Sequence, residues 1–212
     1  MRAVIFDLDG TLVDSLGGIE ESARVAIRRV LPDEAIPDLR SLIGPPIATM
    51  FARAWPDLDP DKMRLLVHEF RTHYATEGCI NSVAFPGVFE VLLGLHSAGT
   101  ELFILTNKPV APTRRILDHL GLSRFFTQAM APDSVAPPFR SKPEGARVLM
   151  EKFALDPGRT TLVGDGPDDA AAAEACGFGF IAVDYGYGAA FKTAKHRAEN
   201  FSQIGKILLQ FP

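Results

Sequence analysis

The chain opens MRAVIFDLDGTLVDS, and its first chemically loaded residues come at once. An apolar run from Ala3 to Phe6 leads straight into Asp7 and Asp9, with Gly10 behind them. Buried strands do not ordinarily end on two acids unless the acids are used, because an unpaired charge is costly away from water. Polar groups stand at comparable places elsewhere. Thr106, Asn107 and Lys108 follow the apolar run 101–105, and Asp165, Asp168 and Asp169 follow the run 160–163. Lys142 lies in a loop ahead of a helical segment, within reach of the same edge. In an open parallel sheet, ligands bind beyond the carboxyl ends of the strands. If these runs are neighbouring strands, then acids, a hydroxyl, an amide and an ammonium converge on one edge.

The elements that must position them are legible as periodicity. AVIF at 3–6, ELFIL at 101–105, TTLV at 160–163 and FGFIAV at 178–183 read as strands. Between them apolar residues recur at helical spacing: Val88, Val91, Leu92 and Leu95, then Ile116, Leu117 and Leu120, then Val148, Leu149 and Phe153. Strands alternating with helices, joined by right-handed crossovers, predict an α/β fold, a Rossmann-like doubly wound parallel sheet.

From 15 to 82 that rhythm breaks. Ile19, Ala23, Ala26, Ile27 and Val30 mark one amphipathic helix, Ile47, Met50, Phe51 and Ala54 a second, and Met63, Leu66, Val67, Phe70 and Tyr74 a third. Pro32, Pro37, Pro45, Pro46, Pro56 and Pro60 punctuate them. The sequence therefore predicts a catalytic core of 1–14 and 83–212, with a small all-α cap domain, 15–82, inserted after the first strand. A helical domain over one end of a sheet is a plausible lid. Asp14 or Ser15 is expected to N-cap its first helix. The alanine-rich stretch after Asp169, closed by Gly177, reads as a packing helix with a glycine cap.

Composition narrows the function. The chain has 212 residues, 47% hydrophobic and 23% charged, with a net charge of −4. That balance offers no attraction to nucleic acid or to an anionic membrane surface. No apolar run reaches the roughly 18 residues of a membrane span, and the first strand meets acids too early for a signal peptide. Cys79 and Cys176 lie far apart without metal-ligand spacing and read as buried, reduced thiols. A cytoplasmic protein is expected.

Four ordered motifs carry a resemblance: DLDGTL at 7–12, ILTNKP at 104–109, SKPEG at 141–145 and VGDGPDD at 163–169. With them the chain resembles the haloacid dehalogenase-like phosphohydrolases, in particular the phosphoglycolate-phosphatase-like branch with a helical cap after the first strand. The resemblance implies Asp7 as the nucleophile that accepts the phosphoryl group and Asp9 as general acid, then base. It implies Thr106 and the backbone amide of Asn107 as phosphate-binding groups, and Lys142 as the charge that neutralises the transferring group. Asp7, the backbone carbonyl of Asp9 and Asp165 would hold a metal, with Asp169 orienting it from behind or through water. Lys108 is expected at the surface or rim.

Charge arithmetic makes a metal necessary. Three acids and a phosphate dianion face one lysine, and like charges 4 Å apart repel by about 4 kcal/mol at an effective dielectric near 20. Oxygen donors only, with a phosphate substrate, indicate Mg2+. Two departures from the family pattern stand out. Gly166 occupies a position usually held by Thr or Ser, whose hydroxyl would help orient the acids, and Gly145 stands where the third motif usually has proline.

The expected activity is hydrolysis of a small phosphate monoester, phosphoglycolate-like, by a monomer or homodimer. Asp9 argues against a dehalogenase, which has no leaving alcohol to protonate. A sugar phosphomutase of the same superfamily shares the motifs and differs chiefly in its cap. A phosphonatase would need a cap lysine, for which only Lys62 is present. A non-catalytic sensor of phosphorylated metabolites would bind esters without turning them over. Substrate contacts are sought among Arg40, Arg53, Arg64, His68, Arg71, His73 and the Gly44-Pro45-Pro46 turn.

Overall fold

The run AVIF forms β1 (Ala3–Phe6), and all four of its residues are buried. A strand covered on both faces must be apolar throughout rather than alternating, which is why so short a run is so distinct. The computed structural model describes residues 2–42, 47–188 and 194–209; the Gly44-Pro45-Pro46 turn lies outside them. The chain divides into two compact units, Met1–Asp14 with Val83–Pro212, and Ser15–Ser82.

In the first unit β2 (Val13–Asp14) and β3 (Val83–Ala84) pair as a short antiparallel ribbon. The main sheet adds β4 (Glu101–Leu105), β5 (Gln128–Met130), β6 (Thr160–Gly164), β7 (Gly179–Val183) and β8 (Arg197–Ala198). Its order is β5-β4-β1-β6-β7-β8 with every pairing parallel. The expected parallel α/β sheet is thus present. Two strands were not anticipated, β5 and β8, whose three and two residues are too short to carry a period of their own. Helices α4 (Val88–Ser97), α5 (Val110–His119), α6 (Lys142–Phe153), α7 (Pro167–Cys176) and α8 (Ser202–Leu208) complete the unit.

Successive β1 side chains point to opposite faces. Ala3 and Ile5 join a core cluster with Ala146 and Leu149 of α6 and Ala172, Ala173 and Cys176 of α7. On the other face Phe6 stacks on Phe201, at the start of α8, with ring centroids 5.7 Å apart. Burying a side chain of the size of Ile5 or Phe6 stabilises the fold by about 1.5–3 kcal/mol. Gly145 of α6 stands where the proline is missing, and a Cβ there would meet the side-chain ends of Leu105 and Phe139 at 2.9 Å, so a larger residue would require both to move.

The second unit contains α1 (Leu16–Val30), α2 (Ile47–Ala54) and α3 (Pro60–Thr76). Helix α3 starts where its sequence dictates, because Asp59 accepts from the amides of Asp61 and Lys62 at 2.9 and 3.2 Å and Pro60 fills the first turn. Ser15 occupies the position before α1 but makes no capping bond with its side chain, contrary to expectation. Asp14 belongs to β2 and accepts from Tyr187. His73, sought among the substrate contacts, is buried. Its Nδ1 lies 2.9 Å from Ser22 Oγ, which spends its own proton on the Gly18 carbonyl at 2.7 Å, so His73 must donate. This bond ties α1 to α3.

Removing it leaves a buried N–H without an acceptor. Ser22→Ala should therefore destabilise the protein by about 1–3 kcal/mol, read as a lower urea midpoint with an unchanged slope.

Candidate active site

The register of the sheet explains why distant residues meet. Phe6 of β1 lies opposite Ile104 of β4 on one side and Val163 of β6 on the other. The residues that follow these strands therefore emerge at one height, and the Asp7 amide still donates to the Val163 carbonyl at 2.9 Å. Because β1 lies between β4 and β6, this is the crevice where an open parallel sheet takes its ligands.

Three carboxylates gather there: Asp7, Asp165 and Asp169, all buried, each offering an oxygen within 4.8 Å of the others. Lys142, the first residue of α6, brings its ammonium to 2.7 Å from Asp7 Oδ1 and 2.7 Å from Asp169 Oδ1, and is itself only 4% exposed. The Ser141 hydroxyl starts that helix by accepting from the Glu144 amide. Asp169 lies in the first turn of α7, where its second oxygen accepts from the Gly166 amide at 3.0 Å.

Asp9 stands apart from this cluster. Its carboxylate is paired with Lys108, Nζ to Oδ1 at 2.5 Å, and the lysine side chain is only 9% exposed. The expectation of a surface or rim lysine is corrected: Lys108 is a nearly buried partner of Asp9. The loop after β4 turns it inward, since the Lys108 amide donates to Thr106 Oγ1 at 3.1 Å. The buried Thr106 hydroxyl keeps its own proton to donate. Asn107 is exposed and reaches Asp168 Oδ2 at 3.3 Å.

Burial and charge set the ionisation of the cluster. Burial lifts the Asp7 carboxyl from 3.8 to about 7, against the pull of Lys142 and with help from the charges of Asp169 and Asp9. Burial likewise raises Asp165, reinforced by Asp7 and moderated by the amides of Gly188 and Tyr187. Asp169 is raised by burial although Lys142 opposes it. For Lys142 burial acts downward, but Asp169 and Asp7 outweigh it and keep the ammonium charged. Among the described residues one cation thus serves three acids. The deficit of positive charge, with hard oxygen donors alone, fits a site for a small divalent cation.

In the second unit, Arg64, His68 and Arg71 of α3 line a shallow groove of about 330 Å³ floored by Met63, Val67 and Ala48. Arg40 is taken up by Glu20 at 3.0 Å, and Arg53 lies in the last turn of α2.

The haloacid dehalogenase-like hydrolase family matches the chain over residues 4–183. A phosphoglycolate phosphatase of Rhodospirillum rubrum is 31% identical over 201 residues, spanning 88% of this chain and 80% of that one. A 5'-nucleotidase of Pseudomonas aeruginosa is 30% identical, spanning 93% and 89%. A solved structure described as a predicted phosphoglycolate phosphatase from Haemophilus somnus has a TM-score of 0.86 at 28% identity, covering 98% of this chain and 97% of that one. The chain belongs to the haloacid dehalogenase-like hydrolase family. Within it, these relatives set it on the phosphoglycolate-phosphatase-like branch. Among the described residues no helix is long and apolar enough to cross a membrane.

The raised carboxyl makes a pH prediction. A carboxyl whose folded pKa lies above its unfolded value binds its proton more tightly when folded, so it stabilises the fold at low pH and loses that contribution as pH rises. For Asp7 the window runs from 3.8 to about 7. Across its upper half the melting temperature of EDTA-treated protein should fall, and saturating Mg2+ should flatten that fall by replacing the proton.

Proposed function

We propose that the protein is a Mg2+-dependent phosphatase that hydrolyses a small, phosphoglycolate-like phosphate monoester through an aspartyl-phosphate on Asp7. As a member of its family it is a phosphoric monoester hydrolase; the metal, the intermediate and the choice of ester are the proposal. One observation carries it: Asp7 is held 2.7 Å from a buried lysine, against two further buried acids, with Asp9 two residues away.

In this reading Asp7 attacks phosphorus as the bond to the ester oxygen breaks, and Asp9 gives its proton to the departing alkoxide. Asp9 then takes a proton from the water that attacks the acyl-phosphate, which frees phosphate and restores Asp7. Lys108, its Nζ 2.5 Å from Asp9 Oδ1, orients the Asp9 side chain. The Thr106 hydroxyl and the Asn107 amide bind phosphoryl oxygens, while Lys142 holds Asp7 and Asp169 in place and adds positive charge beside the transferring group. Mg2+ held by Asp7, the Asp9 carbonyl and Asp165, with Asp169 behind, would supply the charge that lets a dianion approach.

The helical unit Ser15–Ser82 is read as the lid and the source of substrate choice. The partner is then one small phosphorylated metabolite, taken from the cytoplasm. The differing names of the relatives make a panel of monoesters, phosphoglycolate and nucleoside 5'-phosphates included, the natural assay for it.

Asp7→Asn should abolish hydrolysis of p-nitrophenyl phosphate; a variant as active as the wild type would end the nucleophile assignment. Asp9→Asn should behave differently, because nitrophenolate leaves without needing a proton whereas the acyl-phosphate still needs a base. Rapid mixing should give a burst of about one equivalent of nitrophenolate per site, then turnover slower by about 10²–10⁴.

A further inference from the structure

The segment that follows β7 doubles back over Asp165. The amide of Tyr187 donates to Asp165 Oδ2 at 2.6 Å, and the amide of Gly188 to the same oxygen at 2.9 Å. Two side chains pin the segment in place. The Tyr187 hydroxyl donates to Asp14 Oδ1 at 2.7 Å, and the Tyr185 hydroxyl donates to the Thr11 carbonyl at 2.9 Å, its ring packed edge-on to Phe85.

Three glycines make the approach possible. A Cβ on Gly188 would overlap the Asp165 carbonyl, one on Gly186 would overlap the Asp165 side chain, and one on Gly10 would overlap Asp165 Oδ2. Gly10 also has φ +81, a conformation other residues rarely adopt. Such crowding of glycine around one carboxylate is more than loop closure needs.

The arrangement also answers the question raised by Gly166, where a Thr or Ser hydroxyl is missing. We infer that the Tyr185–Gly188 segment is the positioning element of the cation site: its two amides fix one oxygen of Asp165 and so hold that carboxylate in its place beside Asp7 and Asp169. Two charge-assisted bonds from backbone donors hold a carboxylate more firmly than one rotating hydroxyl, so the glycine at 166 costs the site little. The inference rests on reading these three acids as a divalent-cation site.

The test is binding of Mn2+, followed by electron paramagnetic resonance, to protein stripped with EDTA and free of substrate. Gly186→Ala and Gly188→Ala should each weaken Mn2+ by about tenfold to a hundredfold, and should also lower the melting temperature in EDTA, because each added Cβ meets backbone atoms. Should either variant fail to fold, Tyr187→Phe decides, since it adds no atom and removes the hydroxyl that anchors the segment to Asp14; it should weaken Mn2+ by about twofold to tenfold. Unchanged affinity in a folded variant overturns the inference while leaving the cation site intact. Wild-type protein that binds no Mn2+ overturns the cation site as well, a distinct result.

Discussion

One ammonium shared among buried carboxylates governs this molecule. Lys142 sits 2.7 Å from both Asp7 and Asp169, with Asp165 in the same cluster and all four side chains buried. Breaking a buried pair by removing one partner is far more costly than the pair's net worth, because a bare charge stays behind. The sheet, the two helix starts and the loop after β7 all terminate at this cluster and hold it. The strands deliver Asp7 and Asp165 at one height, α6 begins with the lysine, and α7 begins close enough to turn Asp169 back onto the Gly166 amide.

A second ion pair divides the labour. Asp7 and Asp9 are only two residues apart, yet their partners differ: Lys142 for the first, Lys108 for the second. Their surroundings differ too, the first nearly dry and the second side chain 23% exposed. Two carboxylates placed in unlike environments can take unlike roles.

The sequence displayed the fold class well because a strand buried on both faces is a continuous apolar run. Four such runs stood out, whereas β5 and β8 are too short to show periodicity and exist through their neighbours. The acids were visible by type and by position after strands. Their partners were less so. Lys108 is separated from Asp9 by 99 residues, and the one available signal was that both follow strands that prove adjacent. His73 was misread by residue type. Leu66, Phe70, His73 and Tyr74 fall at i, i+4, i+7 and i+8, so helical spacing alone would have set it on the buried stripe. The amides on Asp165 left no trace in side-chain chemistry, since backbone donors have no letter, though the glycines of YGYG at 185–188 marked where the chain comes close.

The ribbon of β2 and β3 has a consequence for how such a protein diversifies. Asp14 pairs with Val83, so the chain leaves the α/β unit and returns to it at neighbouring rungs of one ladder. Everything between those rungs is topologically a hairpin connection, and a two-residue turn would serve to close it. The segment can be exchanged, shortened or enlarged without threading the sheet or altering its register. Recombination at this junction exchanges the helical unit and leaves the strands of the α/β unit where they were.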